Sequence, residues 1–239
     1  MQAVILAGGQ GTRLAPYTLV FPKPMLPVGG QPIIETIIQQ LAYYNFKDVV
    51  ICLGYLGNLI EVYLKNDSRV PKDVNIRYVL ESKPLGTAGA LSLIDGLEDD
   101  FLVINGDILT TLNFQDFFLF HKQKKSSLSI AAGQKKIKMS LGILEIDGQD
   151  RVKEFIEKPT YTFQDNMGVY IYNRRALQYI PQNERLDFNI LVEKMIQDGE
   201  DIFAYRSEDP YFWIDIGQHA DFESANQEFE KRRNEFLKS

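Results

Sequence analysis

The side chains best suited to phosphate chemistry lie in a glycine-rich segment, residues 8–24, near the start of the chain. Its three glycines let the backbone approach a phosphate closely, and Arg13 and Lys23 supply cations that hold phosphate oxygens. A dinucleotide fingerprint needs glycine or alanine where this segment has Leu14, and a P-loop needs Gly-Lys followed by Ser or Thr, so neither motif is present. The prolines exclude an α-helix directly after the glycines and predict an extended, stiffened loop suited to a bound polyphosphate.

Two aspartates, Asp107 and Asp215, follow apolar residues in distant parts of the chain. Carboxylates that converge on one point repel each other unless a hard cation lies between them. Mg²⁺ is commonly held by one or two carboxylates together with substrate phosphates, so the pair indicates a magnesium site. Either aspartate alone is otherwise typical of a turn or a helix cap.

Glu81 and the small-residue segment PLGTAGA, residues 84–90, form a candidate nucleobase site. Small residues at the start of a helix let a base approach the backbone without interference from Cβ atoms. A carboxylate accepts well from the adjacent N1–H and N2–H groups of guanine, whereas an amide matches uracil or thymine. Glu81 therefore favours GTP if it faces the base, and a solvent-facing strand end is the alternative.

Other polar residues give weaker signals. Glu157 and Lys158 follow an apolar strand and are by themselves typical of a solvated edge. His121 and His219 lack the spacing of metal ligands. The single cysteine, Cys52, excludes an intramolecular disulfide and a multi-cysteine metal site, and its apolar neighbours predict that it is buried.

Alternating strands and helices must position these side chains. Apolar runs predict strands at 2–7, 48–53, 76–80 and 101–104, and helical spacing of apolar residues from 33 to 42 predicts a helix between the first two. This order implies right-handed parallel units, so the fold class is α/β. Because open parallel sheets bind ligands at the carboxyl ends of their strands, the glycine segment is expected at such an edge.

The second half of the chain is richer in short strands. They are predicted at 128–131, 141–146, 152–156 and 168–172. We expect them to extend one edge or side of the same sheet. Further helices are predicted around 60–64, over 87–97 and over 221–237. The last of these has an aromatic face that packs on its own domain or, alternatively, forms a dimer interface.

Composition limits the class of protein. The chain has 239 residues, enough for one large domain or two small ones. Its formal net charge of −6 argues against a broad basic face that binds nucleic acid. Any phosphate must therefore be bound by a few local cations. No apolar stretch approaches the roughly 18 residues of a membrane span, and the first apolar run is too short for a signal peptide. We therefore expect a soluble, cytoplasmic protein.

Together these segments resemble the sugar-1-phosphate nucleotidylyltransferase family, and the pattern is closest to mannose-1-phosphate or heptose-1-phosphate guanylyltransferases. The family's N-terminal pattern GGxGTRLxPxTxxxPKPMxPV is met at every named position from Gly8 to Val28. The resemblance continues along most of the chain, through PLGTAGA at 84–90, NGD at 105–107, EKP at 157–159, NMGVY at 166–170 and WIDIG at 213–217.

The resemblance implies a Rossmann-like, mixed and mostly parallel sheet flanked by helices, the nucleotide-diphospho-sugar transferase fold, with an added small β-rich sugar-binding lobe. It implies one domain over residues 1–239, in which 1–125 bind the nucleotide, 126–218 bind the sugar phosphate and 219–239 form a C-terminal helix. The implied partners are a nucleoside triphosphate and a sugar 1-phosphate, without nucleic acid or membrane. Homodimer formation stays open.

The resemblance also implies a role for each matching residue. Arg13 and Lys23 are the implied catalytic residues, Arg13 on the β- and γ-phosphates and Lys23 on the α-phosphate. Mg²⁺ is the implied cofactor, held by Asp107 and Asp215, and Lys158 contacts the attacking phosphate. The implied nucleotide-binding residues are Leu6, Ala7, Gly8, Gly9, Gly11, Thr12, Glu81, Pro84, Gly86, Thr87 and Asp107. Those implied for the sugar phosphate are Gly142, Glu157, Lys158 and Asn166.

The implied reaction converts a sugar 1-phosphate and a nucleoside triphosphate into diphosphate and a nucleotide sugar for cell-surface polysaccharide. Many members have tyrosine at Leu141 and alanine at Met167, so mannose, heptose, glucose, amino-sugar and muramate types stay open. Uridylyl, thymidylyl and cytidylyl transfer are the alternatives to guanylyl transfer. Outside this reaction, a glycosyltransferase commonly carries Asp-x-Asp where residues 105–107 read Asn-Gly-Asp, and a non-catalytic nucleotide-sugar sensor would not need the cations and carboxylates.

Overall fold

Apolar strands alternate with amphipathic helices through the first half of the chain. The computed structural model describes residues 1–66 and 68–238. The strands are β1 (Gln2–Ala7), β2 (Pro27–Val28), β3 (Gln31–Pro32), β4 (Asp48–Leu53), β5 (Asn75–Leu80), β6 (Asp100–Asn105), β7 (Ile108–Thr110), β8 (Leu128–Lys138), β9 (Ile143–Ile146), β10 (Val152–Ile156), β11 (Thr160–Asn173), β12 (Ile202–Tyr205) and β13 (Trp213–Asp215). The α-helices are α1 (Ile33–Tyr43), α2 (Gly57–Asn66), α3 (Gly86–Gly89), α4 (Phe114–Lys124), α5 (Phe188–Gln197), α6 (His219–Lys231) and α7 (Arg233–Phe236).

The central sheet has the strand order β12-β8-β11-β6-β1-β4-β5. Strands β6, β1, β4 and β5 run parallel, as the strand–helix–strand order predicts. Strand β11 pairs antiparallel with β6 and with β8, and β12 pairs parallel with β8. The sheet is therefore mixed and mostly parallel, and strands from the second half of the chain extend one edge of it, as expected.

Both faces of the central strands are buried because helices cover each of them. On one face, Ala3 and Ile5 of β1 pack with apolar side chains of α1, α2, α4 and α6. On the other face, Val4 packs with Cys52 and with apolar side chains of α3 and α5. Cys52 is fully buried, which confirms the expectation from its apolar neighbours.

The loop after β1 differs from the extended segment that its prolines predict. It forms 3-10 turns at Thr12–Leu14, Tyr17–Leu19 and Lys23–Met25. Gly11 has a φ of +63°, and its carbonyl accepts a hydrogen bond from the Thr18 hydroxyl at 2.8 Å. The prolines do exclude an α-helix here, but a short 3-10 turn tolerates proline because few of its N–H groups are hydrogen-bonded.

Two predicted helices have different bounds in the structure. The helix expected over 87–97 begins at Gly86 and passes into a 3-10 turn that ends at Leu93. The helix expected over 221–237 breaks at Arg232, which separates α6 from α7. Apolar spacing does not mark these ends, because a 3-10 turn or a break can bury the same side chains as a continuous helix.

A small β-rich lobe projects from the extended edge of the sheet. Strands β8 and β11 continue to pair beyond the predicted ranges 128–131 and 168–172, from Thr160 opposite Lys138 onward. Strands β9 and β10 form a separate antiparallel pair within the predicted ranges 141–146 and 152–156. The division of residues 1–239 into one domain with internal boundaries stays a prediction. In the described part of the chain, no helix is long and apolar enough to cross a membrane.

Candidate active site

A cavity of about 260 Å³ lies at the carboxyl ends of β1 and β6, where open α/β sheets bind ligands. The glycine loop after β1 and the loop after β6 form one part of its wall, and the segment around α3 forms another. The lining residues are Leu6, Ala7, Gly8, Gly9, Lys23, Pro24, Glu81, Pro84, Gly86, Thr87, Ala90, Asn105, Gly106, Asp107 and Arg185.

Most of the residues predicted to bind the nucleotide line this cavity, and the structure thus brings together side chains from three parts of the chain. Gly11 and Thr12 lie outside the lining. Gly11 lies behind Lys23, because a Cβ at position 11 would lie 2.9 Å from Cγ2 of Thr18 and 3.3 Å from Cβ of Lys23. The positive φ and this close contact both require glycine, so Gly11 lets the lysine pack against the loop.

Lys23 joins the two aspartates into one cluster. Its ammonium contacts Oδ2 of Asp107 and lies 3.7 Å from Oδ1 of Asp215. The pairing of β13 with β7 brings Asp215 opposite Ile108, next to Asp107. Two carboxylates far apart in sequence therefore meet one buried lysine.

The charges of this cluster shift the pKa of Asp215. Burial raises the pKa of the Asp215 carboxyl, and the negative charge of Asp107 raises it further, while Lys23 and Arg13 oppose the shift. Arg13 lies beside the end of β13, because a Cβ at Gly217 would lie 3.4 Å from its Nη2. Two of the predicted cations, Arg13 and Lys23, therefore lie together with the two aspartates.

The two carboxylates suit a hard divalent cation. Asp107 Oδ1 is buried, and no described residue donates a hydrogen bond to it. Within residues 1–66 and 68–238, no group of three or more His, Cys, Asp or Glu side chains is arranged to hold a metal ion. A metal at Asp107 and Asp215 would therefore complete its coordination with water and substrate phosphate oxygens, as Mg²⁺ commonly does.

Glu81 lies in the cavity wall. Its Oε2 accepts a hydrogen bond from the Leu85 N–H at 3.0 Å, and its Oε1 lies directly over Gly8, where a Cβ would overlap it. Burial raises the pKa of this carboxyl, and the Leu85 N–H opposes the shift. Glu81 therefore lines the cavity between the glycine loop and the segment that leads into α3.

The residues predicted to bind the sugar phosphate fall into two groups. Gly142 packs against Phe155 and lies close to Glu157, which in turn lies 3.5 Å from the Lys158 ammonium. In the described residues, no hydrogen bond or ion pair joins Glu157 or Lys158 to the Lys23 cluster. This first group therefore lies on the β-rich lobe and is not bonded to the Lys23 cluster.

The second group contains Asn166. Its side chain donates to the Tyr170 hydroxyl at 3.0 Å and accepts from the Gly168 N–H at 2.9 Å. Burial raises the pKa of Tyr170 to about 12, and the charges of Asp107 and Asp215 also raise it. Asn166 thus holds the Tyr170 hydroxyl, and the charges of the two carboxylates act on the same hydroxyl.

Sequence reasoning missed Arg185, which lines the cavity from the segment just before α5. Gly86 shows why this segment lies so close, because a Cβ there would lie 2.7 Å from the Leu186 carbonyl oxygen. No motif around Arg185 marks it, and its distance in sequence from the PLGTAGA segment hides the contact. The sequence carries no signal for this contact. It becomes visible only in the folded chain, where Leu186 leaves no space for a side chain at Gly86.

The chain is similar to proteins with names that agree with this site. It is 30% identical over 226 residues to a mannose-1-phosphate guanylyltransferase of Mycobacterium tuberculosis, an alignment that covers 93% of this chain and 62% of that protein. It is 29% identical over 245 residues to a UTP–glucose-1-phosphate uridylyltransferase of Synechocystis, covering 94% of this chain and 62% of that protein. The chain thus spans less than two thirds of the length of these curated relatives.

A solved structure and a family match complete the comparison. HddC from Yersinia pseudotuberculosis, complexed with GMP-PN, is 27% identical and aligns with a TM-score of 0.72 over 95% of this chain and 99% of that one. The Nucleotidyl transferase family matches residues 2–232. These findings confirm the resemblance inferred from the motifs, and the chain belongs to the Nucleotidyl transferase family.

Proposed function

We propose that the protein is a sugar-1-phosphate nucleotidylyltransferase that converts a nucleoside triphosphate and a sugar 1-phosphate into a nucleotide sugar and diphosphate. GTP with mannose 1-phosphate or a heptose 1-phosphate is the favoured substrate pair. The observation that carries the proposal is the cluster of Lys23, Asp107 and Asp215, with Arg13 beside it, at the edge of a cavity at the strand ends.

The reaction needs positioned cations more than it needs a base. An oxygen of the sugar 1-phosphate is already anionic; it attacks the α-phosphorus, the bond from that phosphorus to the bridging oxygen breaks, and diphosphate leaves. The barrier lies in bringing two polyanions together and in stabilising charge at the α-phosphorus. Lys23 would serve the α-phosphate, Arg13 the β- and γ-phosphates, and Lys158 the attacking phosphate.

Asp107 and Asp215 are the residues that would hold Mg²⁺. The ion supplies charge stabilisation at the phosphoryl oxygens. In the described structure the Lys23 ammonium lies against these carboxylates and balances part of their charge. The same side chain is close enough to the cavity to turn its ammonium toward a triphosphate.

The lobe that carries Glu157 and Lys158 would bind the sugar 1-phosphate. A carboxylate accepts hydrogen bonds from sugar hydroxyls, and an ammonium pairs with phosphate, so both side chains have suitable chemistry. Asn166 would offer a further amide to the sugar from a position held by Tyr170. Gly142 lets the backbone lie close to Glu157 and Phe155, since a Cβ there would lie 3.1 Å from Oε2 of Glu157 and 2.5 Å from Cζ of Phe155.

The relatives support nucleotidyl transfer as the class of reaction more strongly than they support guanine as the base. One is named a mannose-1-phosphate guanylyltransferase and another a glucose-1-phosphate uridylyltransferase, at nearly equal identity. Glu81 favours guanine, because a carboxylate in the cavity matches two adjacent base donors. Uridylyl, thymidylyl and cytidylyl transfer are the competing specificities, and nucleotide-sugar sensing is the non-catalytic alternative.

The direct experiment is a matrix of GTP, UTP, dTTP, CTP and ATP against several sugar 1-phosphates with Mg²⁺, scored by diphosphate release. We expect release with GTP and a mannose- or heptose-type 1-phosphate. Binding of nucleotide sugars without diphosphate release for any pair would replace the enzyme by a sensor. Release of free nucleoside diphosphate from a nucleotide sugar, with transfer to an acceptor, would indicate a glycosyltransferase.

The variant Asp107→Asn tests the carboxylate cluster. We expect it to lose turnover by about a hundredfold or more, because a neutral amide cannot replace a charged ligand for the divalent cation, while the fold stays intact. The matched control is Asp99→Asn, at an exposed carboxylate just before the amino end of β6, whereas Asp107 follows the carboxyl end of that strand. Near-normal turnover of Asp107→Asn with Mg²⁺ would contradict the assignment.

A further inference from the structure

Arg185 is a charged residue of the cavity wall that the proposed chemistry leaves unassigned. Its side chain is 69% exposed, and its Nη2 lies 3.1 Å from Oδ2 of Asp187. Arginine is always charged and only donates hydrogen bonds, so a ligand group beside it must offer acceptors. Because most of the side chain is exposed, the guanidinium can reach a ligand without disturbing the core.

The backbone that carries Arg185 is fixed to the PLGTAGA segment. The Leu186 N–H donates to the Leu85 carbonyl at 2.9 Å, and the Leu186 carbonyl accepts from the Ala88 and Gly89 N–H groups at 3.0 Å each. These bonds join segments that are far apart in sequence. The backbone at Arg185 therefore has a fixed position at the rim of the cavity.

Leu85 links this rim to Glu81. Its N–H donates to Oε2 of Glu81 at 3.0 Å, while its carbonyl accepts the Leu186 N–H at 2.9 Å. One residue thus fixes an acceptor, Glu81, and the chain segment of a donor, Arg185, in the same cavity wall. An acceptor and a donor that start from fixed backbone positions in one cavity can distinguish bases by their donors and acceptors.

We propose that Glu81 and Arg185 together read guanine, with the Glu81 carboxylate accepting from N1–H and N2–H and the Arg185 guanidinium donating to O6 and N7. This inference rests on the proposed function and adds the residue that completes base recognition. A bidentate arginine matches the two adjacent acceptors of guanine, and this pairing is a common way in which proteins recognise the base.

The other bases fit this pair less well. Adenine and cytosine present an amino group where guanine presents a carbonyl, so a donor-only guanidinium meets a second donor. Uracil and thymine present a carbonyl without a neighbouring ring acceptor, and they offer the carboxylate one N–H instead of two. Arg185 thus discriminates most strongly against adenine and cytosine, and Glu81 against the pyrimidines with one donor.

Base analogues test each half of the pair by itself. ITP keeps O6, N7 and N1–H but lacks the 2-amino group, and 7-deaza-GTP lacks N7. In Arg185→Met we expect the affinities for GTP and ITP to fall by the same factor, about ten- to a hundredfold, and the wild-type preference for GTP over 7-deaza-GTP to disappear. In Glu81→Gln we expect the preference for GTP over ITP to disappear instead.

Affinities are measured by calorimetry with nucleotide and Mg²⁺ alone, so the result does not depend on the sugar. The matched control is Arg174→Met, at an exposed arginine that pairs with Asp99 at 3.7 Å and lies outside the cavity. Equal losses for GTP, ATP and UTP in Arg185→Met would overturn the proposal, since they would indicate contact with phosphate or ribose. Unchanged GTP affinity would overturn it as well.

This test separates the inference from the proposed function. If the expected binding pattern holds while no sugar 1-phosphate yields diphosphate, base recognition stands and nucleotidyl transfer fails. If diphosphate is released with UTP in preference to GTP, nucleotidyl transfer stands and guanine recognition by Glu81 and Arg185 fails.

Discussion

At the scale of single residues, the site depends on charges that partly offset one another. Lys23 is buried, with its side chain 11% exposed, and it meets two carboxylates. An isolated ammonium in that position would be costly to bury, so the aspartates stabilise the lysine as much as the lysine stabilises them. The sequence predicts each side chain, and its distance from the others follows only from the fold.

Asp215→Asn should increase stability and abolish activity. The pKa of Asp215 is raised in the folded chain, so the ionised carboxylate destabilises the fold at pH values above its unfolded pKa of about 3.9. This cost builds up as the pH rises from the unfolded pKa to the folded pKa of Asp215, and it is complete above the folded pKa. Since half of the side chain is exposed and screened by water, we expect a gain below about 1 kcal/mol, or at most about 2–4 °C in Tm.

The measurement is thermal unfolding of Asp215→Asn at pH 7, together with diphosphate release. Asp209→Asn, at an exposed aspartate, is the control and should change neither quantity. A lower Tm at pH 7 would show that the carboxylate is held by its cations more strongly than burial opposes it.

At the scale of elements, a buried polar cluster connects α4 to the amino ends of β6 and β8, at the end of the sheet opposite the cavity. His121 is fully buried, and its ring nitrogens lie 2.9 Å from the Ser129 hydroxyl and 3.2 Å from Oδ1 of Asp100. Burial lowers the pKa of His121, with Lys122 and Arg175 lowering it further, although Asp100 opposes the shift. The neutral imidazole is therefore the form that the fold accommodates.

The protein should lose stability as the pH falls below the unfolded histidine pKa of about 6.5, because unfolding then lets His121 take up a proton. We expect a slope of at most about 1.4 kcal/mol per pH unit between pH 6.5 and 5. Burial raises the pKa of Asp100, but hydrogen bonds from Lys122, Asn173 and His121 keep it below the usual value. Protonation of Asp100 therefore reduces stability only at lower pH.

Urea unfolding at pH 5, 6, 7 and 8 measures this slope. His121→Gln should be less stable at every pH and should show a flatter slope between pH 7 and 5. His219→Gln, at an exposed histidine, should keep the wild-type slope. An unchanged slope in His121→Gln would assign the pH dependence to other groups.

At the scale of the whole molecule, the C-terminal helices complete the larger of the two hydrophobic cores. Phe229 of α6 and Phe236 of α7 are fully buried and stack with ring centroids 5.0 Å apart. Phe229 also covers Gly29, whose positive φ and lack of a side chain let the ring lie directly on the loop between β2 and β3. The predicted packing of this aromatic face on its own chain is confirmed, and homodimer formation stays a prediction.

Phe229→Ala should destabilise the protein by about 3–5 kcal/mol, because it leaves a cavity between the helix and the loop. Phe155→Ala is the matched control, at a phenylalanine that is 61% exposed, and should change stability by less than about 1 kcal/mol. Urea unfolding at pH 8 compares the two. Equal losses would show that α6 contributes little to the core.

The parallel core was accessible from sequence because its signals are local. Strands β1 and β4 occupy the predicted residues 2–7 and 48–53, since continuous apolar runs bounded by turn residues leave few other conformations. The glycine loop was predicted as an extended segment and is a series of 3-10 turns. Its conformation depends on Gly11 and Thr18 folding onto Lys23, a contact that no periodicity encodes.

The sequence by itself determined the kinds of chemistry available: cations beside glycines, carboxylates at strand ends and a carboxylate near small residues. The tertiary structure decided which of them act together. Lys23 meets Asp107 and Asp215 because β13 pairs with β7, and Arg185 enters the cavity because Leu186 pairs with Leu85. Residue type and local spacing are written in the chain, whereas distances between remote residues arise from strand pairing and packing.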